Sequence, residues 1–245
     1  MEAIVKDVER MNSTEGDLVG YNCKKCKNRG YYAVVEDGAM CMARCSCMEV
    51  RSSLKRMAAS GINEEYILET FDTSEPWQKH IFDAAMKFLE NPEGSWFFTG
   101  GQVGAGKTHL CTGLVRKLLD RGMPARYMCW RDDIVTIKAN IMNAEEYANL
   151  VEPLKNVKVL YIDDLFKTNS KEPTTAEINV AFEILNARYN RKGLITIIST
   201  EFFIDEIVDI DQAVGSRIFE KSKQFQNNIG RIRTRNYRLK TNNRI

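Results

Sequence analysis

The sequence predicts an α/β fold, a parallel sheet flanked by helices, preceded by a small cysteine module. Three observations predict it. A glycine loop, Gly101-Gln102-Val103-Gly104-Ala105-Gly106-Lys107-Thr108, stands between an aromatic strand-like run and an amphipathic helix. From Pro76 onward, short apolar runs alternate with helical periodicity. Five of the seven cysteines crowd between positions 23 and 47. Strands alternating with helices imply a parallel sheet covered on both faces.

The elements follow in order. Residues 1–13 read as a short amphipathic helix of mixed charge and 14–20 as a loop. Within the cysteine module at 21–48, Tyr31 to Val35 and Ala39 to Met42 form a hairpin around Glu36-Asp37-Gly38. Residues 49–70 start helical and basic and connect the two parts, so the chain divides into 1–60 and 61–245. A helix over 76–90 ends at the turn Asn91-Pro92-Glu93-Gly94. Ser95 to Thr99 is the first strand of the sheet. His109 to Leu119 is a helix with 110, 111, 114, 115, 118 and 119 on one apolar face. Arg126 to Trp130 is a strand, with helices near 131–142 and 144–154 after it. Val157 to Ile162 is the next strand. Thr174-Thr175-Ala176-Glu177 is a capping box that opens a helix reaching Arg191. Leu194 to Ser199 is the fourth strand, and a helix follows near 204–213.

Composition narrows the class. Apolar residues at 44% and charged residues at 28% suit a soluble globular chain. No run approaches the ~20 apolar residues of a membrane span. Met1 to Asp7 is not a secretory signal, so a cytoplasmic protein with no membrane partner is expected. The net charge of +2 is unevenly placed. After Glu220 no acidic residue follows, while Lys221, Lys223, Arg231, Arg233, Arg235, Arg238, Lys240 and Arg244 do. Such a tail suits a polyanion.

The loop at 101–108 fits G-x-x-x-x-G-K-[ST]. Glycines let successive N–H groups turn toward a phosphate, and the following helix adds its positive end. Lys107 is placed for the β- and γ-phosphates and the Thr108 hydroxyl for Mg²⁺. The third strand delivers Asp163-Asp164 at its carboxyl end, where open parallel sheets bind ligands. Asp163 is placed to hold Mg²⁺ near Thr108, and Asp164 to orient an attacking water. The fourth strand ends Ser199-Thr200-Glu201, where a polar side chain could reach the γ-phosphate. Arg217, in Gly215-Ser216-Arg217-Ile218, could reach the γ-phosphate of a neighbouring subunit.

Cys23-x₂-Cys26 and Cys45-x-Cys47 can present four thiolates to one tetrahedral Zn²⁺. In a cytoplasmic chain, metal is the better reading than disulfides. Cys41 either substitutes within the second pair or stays free. A module this small would take its folding energy from the metal.

Together these segments resemble the DnaC-type helicase loaders, AAA+ ATPases close to the IstB-like group and nearest their phage-encoded forms. The carrying residues are Tyr21-Asn22-Cys23-Lys24-Lys25-Cys26, Cys45-Ser46-Cys47-Met48, the loop at 100–108 and Leu160 to Leu165. Arg188-Tyr189-Asn190, Thr196 to Glu201, Gly215 to Ile218 and Asn236-Tyr237-Arg238 complete the set. The resemblance implies that ATP and Mg²⁺ are bound at Gly101 to His109, with Asp163 as the Walker B acid and Asp164 in the catalytic-acid position. Ser199, Thr200 or Glu201 would be sensor 1, Arg217 a trans-acting finger and Arg238 a sensor 2. It implies ATP-dependent self-assembly, binding of single-stranded DNA and delivery of the replicative hexameric helicase, which the N-terminal region contacts. Tyr237, Tyr127 and Trp130 are candidates for stacking on DNA, with core packing the expected fate of the latter two. AAA+ proteins often carry Asp-Glu where this chain has Asp163-Asp164, so slow, DNA-stimulated hydrolysis suited to a switch is expected. A transposition helper of the IstB type and an ATP-binding adaptor with negligible turnover are the competing readings.

Overall fold

The computed structural model describes residues 2–59, 65–168 and 172–240. Helix α1 (Glu2–Ser13) lies against a hairpin of β1 (Tyr31–Glu36) and β2 (Ala39–Arg44). The hairpin turns at Asp37-Gly38, both with positive φ (49° and 76°), the backbone that a two-residue β-turn demands. Helix α2 (Cys47–Ala59) leaves the hairpin. The boundary expected between residues 60 and 61 lies outside the described residues.

The larger part is built of α3 (Pro76–Glu90), β3 (Trp96–Gly101), α4 (Lys107–Asp120), β4 (Ala125–Cys129), α5 (Trp130–Ala139) and α6 (Ala144–Asn156). These lead into β5 (Val159–Asp163), α7 (Thr175–Tyr189), β6 (Ile195–Ser199), α8 (Ile204–Ile210), α9 (Gln212–Ser222), β7 (Gln226–Ile229) and α10 (Tyr237–Lys240). The five strands run parallel in the order β4-β5-β6-β3-β7. Inserting β6 between β3 and β5 brings the glycine loop, Asp163 and Ser199 to one edge of the sheet. Both faces of the sheet are covered, as its almost wholly apolar strands require. One face carries α3 and α4, with Phe88, Leu110, Leu114 and Leu118 packed on Phe97, Tyr161 and Ile197. The other carries α5 to α9, with Trp130, Ile184 and Ile218 packed on Phe98, Ile162 and Ile198.

Three details differ from the sequence reading. A strand, β7, stands where only a basic tail was expected. Its sequence Gln-Asn-Asn-Ile carries no apolar run, and the sheet recruits it through backbone bonds such as Gln102 N–H to Ile229 O (3.0 Å). The helix expected over 204–213 is two helices, α8 and α9, broken at Asp211, whose side chain caps α9 through the Val214 N–H. Arg217 therefore sits inside α9 rather than after a helix. Gly215 permits the crossing of α8 and α9, since a Cβ there would meet the Val208 Cα at 2.6 Å. Trp130 begins α5 instead of ending β4 and is fully buried edge-on to Phe166, so it presents no stacking face to DNA. The capping box at Thr174 and Glu177 forms as read.

Arg188 on α7 is fully buried, an uncommon fate for a guanidinium. It donates to the carbonyls of Leu154 (3.0 Å), Val157 (2.9 Å) and Ile195 (2.6 Å) and to the Thr196 hydroxyl (2.9 Å). Burial lowers its pKa to about 9, and four acceptors hold the proton. One side chain thus ties α6, α7 and β6 together. Arg188→Leu strands four buried acceptors and is expected to cost about 3–5 kcal/mol, read as a lower urea midpoint at constant slope.

Candidate functional site

The loop from Gly101 to Thr108 curls through left-handed glycines, among them Gly104 (φ 70°) and Gly106 (φ 85°). Gly106 is the N-cap of α4 and offers no side-chain cap, so the first N–H groups of the helix face the cavity. The left-handed backbone favours glycine at 104, and a Cβ there would also push aside the Asn236 side-chain amide, whose Oδ1 would lie 2.1 Å away. The segment carrying Asn236 folds back onto the loop, and the Tyr237 N–H donates to the Gly104 carbonyl (2.8 Å).

Beside the loop is a cavity of about 640 Å³, of the size that holds a small ligand. Its apolar end is lined by Tyr66, Ile67, Phe71 and Trp77. His109 stacks on Tyr66 at 4.9 Å and meets Phe71 edge-on at 5.5 Å. Its polar end holds Lys107, Thr108, Asp164, Lys167 and Glu201, and Arg235, Tyr237 and Arg238 line the mouth. A flat aromatic end joined to a cationic end with open N–H groups fits a nucleotide.

Lys107 is buried and its ammonium donates to the carbonyls of Gly101 (2.9 Å) and Gln102 (2.7 Å). Burial lowers its pKa, opposed by the nearby Asp164 and Glu201 carboxylates. Asp163 is the hub of the strand ends. Its Oδ1 accepts from the hydroxyls of Thr108 (3.2 Å), Tyr161 (2.7 Å) and Ser199, and its Oδ2 from Tyr127 (3.0 Å). The Thr108–Asp163 contact places a hydroxyl and a carboxylate where a divalent cation could bridge to phosphate. The adjacent carboxylate pushes the Tyr127 phenol upward after burial has already raised it.

The remaining expected residues divide. Asp164 faces the cavity, in a left-handed backbone (φ 56°), and pairs with Lys167 (2.9 Å). Glu201 pairs with the same lysine (2.7 Å). Ser199 bonds Asp163, whereas the Thr200 hydroxyl is spent on the Leu165 carbonyl (2.7 Å). Arg217 lies away from the cavity, donating to Asn186 Oδ1 (3.1 Å) and the Ala213 carbonyl (2.7 Å) beneath the Phe182 and Tyr189 rings. Of the basic tail, Arg231 pairs with Glu206, Arg235 lies over Trp77, and Arg244 lies outside the described residues. Sequence reasoning missed Tyr127 and Tyr161 as partners of Asp163, and Lys167. The strand period could have found the tyrosines: Tyr161 precedes Asp163 by two and so shares its face of β5.

The four cysteines at 23, 26, 45 and 47 are buried, and their sulfurs lie within 4.8 Å of one another. Cys23 and Cys45 Sγ are 3.7 Å apart, Cys26 and Cys47 Sγ 3.5 Å. Four thiolates around one zinc stand about 3.8 Å apart, so the set fits a tetrahedral ion. Cys41 is exposed on β2 and outside the cluster. Burial works against the Cys26 thiolate, but the Gly30 N–H and neighbouring thiols bring it down to about 7. Burial pushes Cys47 up to about 12. Cys47 opens α2, and the same helix, which packs beside β4, sends Val50 and Met57 into the core that α3 and α4 share. The Ser53 hydroxyl accepts the Ala125 N–H of edge strand β4 (3.1 Å).

A β4-β5-β6-β3-β7 parallel sheet with a phosphate loop after β3 and an aspartate at the end of β5 defines an AAA+ nucleoside-triphosphatase domain. Residues 62–222 match the family model of the bacterial DnaA ATPase domain, about two thirds of the chain. The chain belongs to that family. It is 32% identical over 197 residues to the uncharacterised protein YqaM of Bacillus subtilis (strain 168), covering 74% of this chain and 61% of that protein. It is 29% identical over 226 residues to the phage-like element PBSX protein XkdC of the same organism, covering 86% and 83%. A crystal structure of the DnaC helicase loader superposes with TM-score 0.57 at 21% identity, covering 69% of this chain and all of that one. Among the described residues no helix is long and apolar enough to cross a membrane.

Proposed function

We propose that this protein is an ATP-switched helicase loader, which binds single-stranded DNA and delivers the hexameric replicative helicase to it. The observation that carries the reading is the joining of a complete nucleotide cleft to a cysteine module through one helix, α2, in a chain that shares its fold with the DnaC loader.

In this reading ATP lies with its base toward Tyr66, Phe71 and His109. Its phosphates meet the N–H groups of 104–108 and Lys107. Thr108 and Asp163 would hold Mg²⁺, which would supply positive charge beside the phosphates. Asp164 orients the attacking water, and its short side chain suits slow turnover. Ser199 keeps Asp163 oriented as the sensor-side contact, with Thr200 bracing the loop behind it. Arg238 reads the nucleotide from the mouth of the cavity. Zinc is held by Cys23, Cys26, Cys45 and Cys47 and has no open position for chemistry.

Arg217 acts in trans. Its distance from its own cavity and its place on the outer α7–α9 face suit a finger offered to the next subunit. Arg217→Ala is expected to keep ATP affinity within about twofold while lowering DNA-stimulated turnover about 10³-fold. The variant should stay monomeric by mass photometry under conditions where the parent protein assembles with ATP.

Single-stranded DNA binds by backbone charge, with Arg233 and Arg235 beside the half-exposed Tyr237 as the contact strip. The hairpin exposes Tyr31, Val35, Met40 and Met42, a surface suited to docking the helicase. Fluorescence anisotropy of a labelled oligonucleotide tests the DNA step. Tight binding with ATP·Mg²⁺ that weakens with ADP and falls steeply with salt supports the reading. Preference for duplex DNA would favour the transposition helper instead.

A further inference from the structure

Lys167 is the feature of the site that none of these roles uses. It follows β5 on a tight loop in which Asp164 (φ 56°) and Phe166 (φ 64°) both take left-handed backbone. The Lys167 N–H closes that turn on the Asp164 carbonyl (2.9 Å), and the buried Phe166 ring anchors it against Trp130. The loop thereby turns the Lys167 side chain back over the polar end of the nucleotide cavity. It lines that cavity and also a smaller one of about 320 Å³, which Gln102, Glu201 and Arg231 share.

Its ammonium bridges two carboxylates, Asp164 (2.9 Å) and Glu201 (2.7 Å), one at the end of β5 and one just past β6. All three side chains are about one third exposed. Both carboxylates also act electrostatically on Lys107, which places the cluster within reach of the phosphate loop's own cation. Two lysines and two carboxylates therefore balance at the end of the cavity farthest from the aromatic base pocket. A terminal phosphate arriving there brings oxygen acceptors of higher charge density than either carboxylate.

We propose that Lys167 is a second phosphate-binding cation, paired with Asp164 and Glu201 in the nucleotide-free protein and transferred to the γ-phosphate when a nucleoside triphosphate binds. The inference rests on the reading that this cavity holds ATP. The exchange makes the site selective for triphosphate over diphosphate. It also releases the Asp164 carboxylate at the moment a substrate is present. Glu201 competes with phosphate for the same lysine and sets how readily the exchange occurs.

The test is the affinity for AMPPCP and for ADP, each with Mg²⁺, by isothermal titration calorimetry. Lys167→Ala should weaken AMPPCP roughly tenfold and leave ADP within about twofold. Lys167→Arg should restore most of the loss. Glu201→Gln should move the other way, strengthening AMPPCP several-fold with ADP unchanged. Steady-state ATP hydrolysis should show the Lys167→Ala defect mainly in KM, since that variant also frees Asp164. An unchanged melting temperature excludes a folding cause for these partly exposed positions. Equal weakening of both nucleotides, no weakening of either, or tighter AMPPCP binding by Lys167→Ala overturns the proposal and leaves the nucleotide site intact. Absence of any nucleotide binding by the parent protein is a different result, and it removes the ATP reading together with this one.

Discussion

Lys107→Ala is expected to abolish measurable ATP turnover, by a factor of about 10²–10³ or more, with ATP affinity falling in parallel. The size follows from its surroundings. The ammonium is buried at the root of the loop, where the low-dielectric setting strengthens its attraction for phosphate. Without nucleotide it is held by the Gly101 and Gln102 carbonyls, so it needs only to turn outward to meet phosphate oxygens. The neighbouring cation, Lys167, bonds Asp164 and Glu201 and not the Gly101 and Gln102 carbonyls, so it does not occupy the same position. Folding should be spared. The two carbonyls released lie at the cavity wall, and circular dichroism with a thermal melt is expected to match the parent. A variant that turns over ATP within threefold of the parent would contradict the role given to the loop.

Removal of the zinc proposed at the four cysteines is expected to have the second large effect. Chelation under reducing conditions, or Cys26→Ser, leaves buried thiols crowded together with no cation to neutralise them. The hairpin and α1 have little other core: in β1 and β2 the one buried side chain is Ala33. That module should unfold. The damage should also cross into the ATPase part, because Cys47 starts the helix whose Val50 and Met57 join its core beside β4. Losing such side chains costs about 2–5 kcal/mol each, so a drop in midpoint on the order of 10 °C is expected. Differential scanning calorimetry with and without added zinc measures it. An ATPase transition that stays in place after metal removal would show that α2 is held without the cluster.

How much of this was legible in the sequence depends on which force sets each feature. The phosphate loop, the apolar face of α4 and the Thr174–Glu177 box are local patterns, and all three form where they were read. The strand runs Phe97-Phe98, Leu160 to Ile162 and Ile195 to Ile198 were equally plain, since a parallel sheet is apolar on both faces. The strand Gln226–Ile229 was not legible, because backbone pairing with β3 and not side-chain burial makes it a strand. The break at Asp211 was hidden for a related reason: Ile210 and Ala213 continue the helical period across a cap that only geometry reveals.

The candidate site shows the same division. Lys107, Thr108, Asp163, Asp164, Ser199 and Glu201 come together because parallel strands put their ends on one edge, which the order of elements already implied. Tyr127 reads from the sequence as a core aromatic, with base stacking as the alternative. Its hydroxyl instead reaches across from the edge strand to Asp163, a contact fixed by the register of Tyr127 opposite Tyr161. Cys41 could not be separated from Cys45 and Cys47 by spacing. Its place in the strand separates it: Cys41 sits mid-β2, exposed and paired with Val34, while the chain turns after Arg44 to bring Cys45 and Cys47 into the cluster. Lys167 had no signal at all, since its meaning lies in two carboxylates from different strands.

The central claim is that ATP couples this protein to a replicative helicase. Affinity capture from a lysate, with purified protein carrying ATP·Mg²⁺ or ADP and mass-spectrometric identification, tests it most directly. Deleting residues 1–60 would also remove α2 from the ATPase core, so the matched control is a Met40→Ser, Met42→Ser double variant on the exposed hairpin face. Recovery of a hexameric replicative helicase with ATP, reduced with ADP and lost in the double variant, is the result expected. Recovery of a transposase, or of no replication protein in either nucleotide state, would contradict the loader reading.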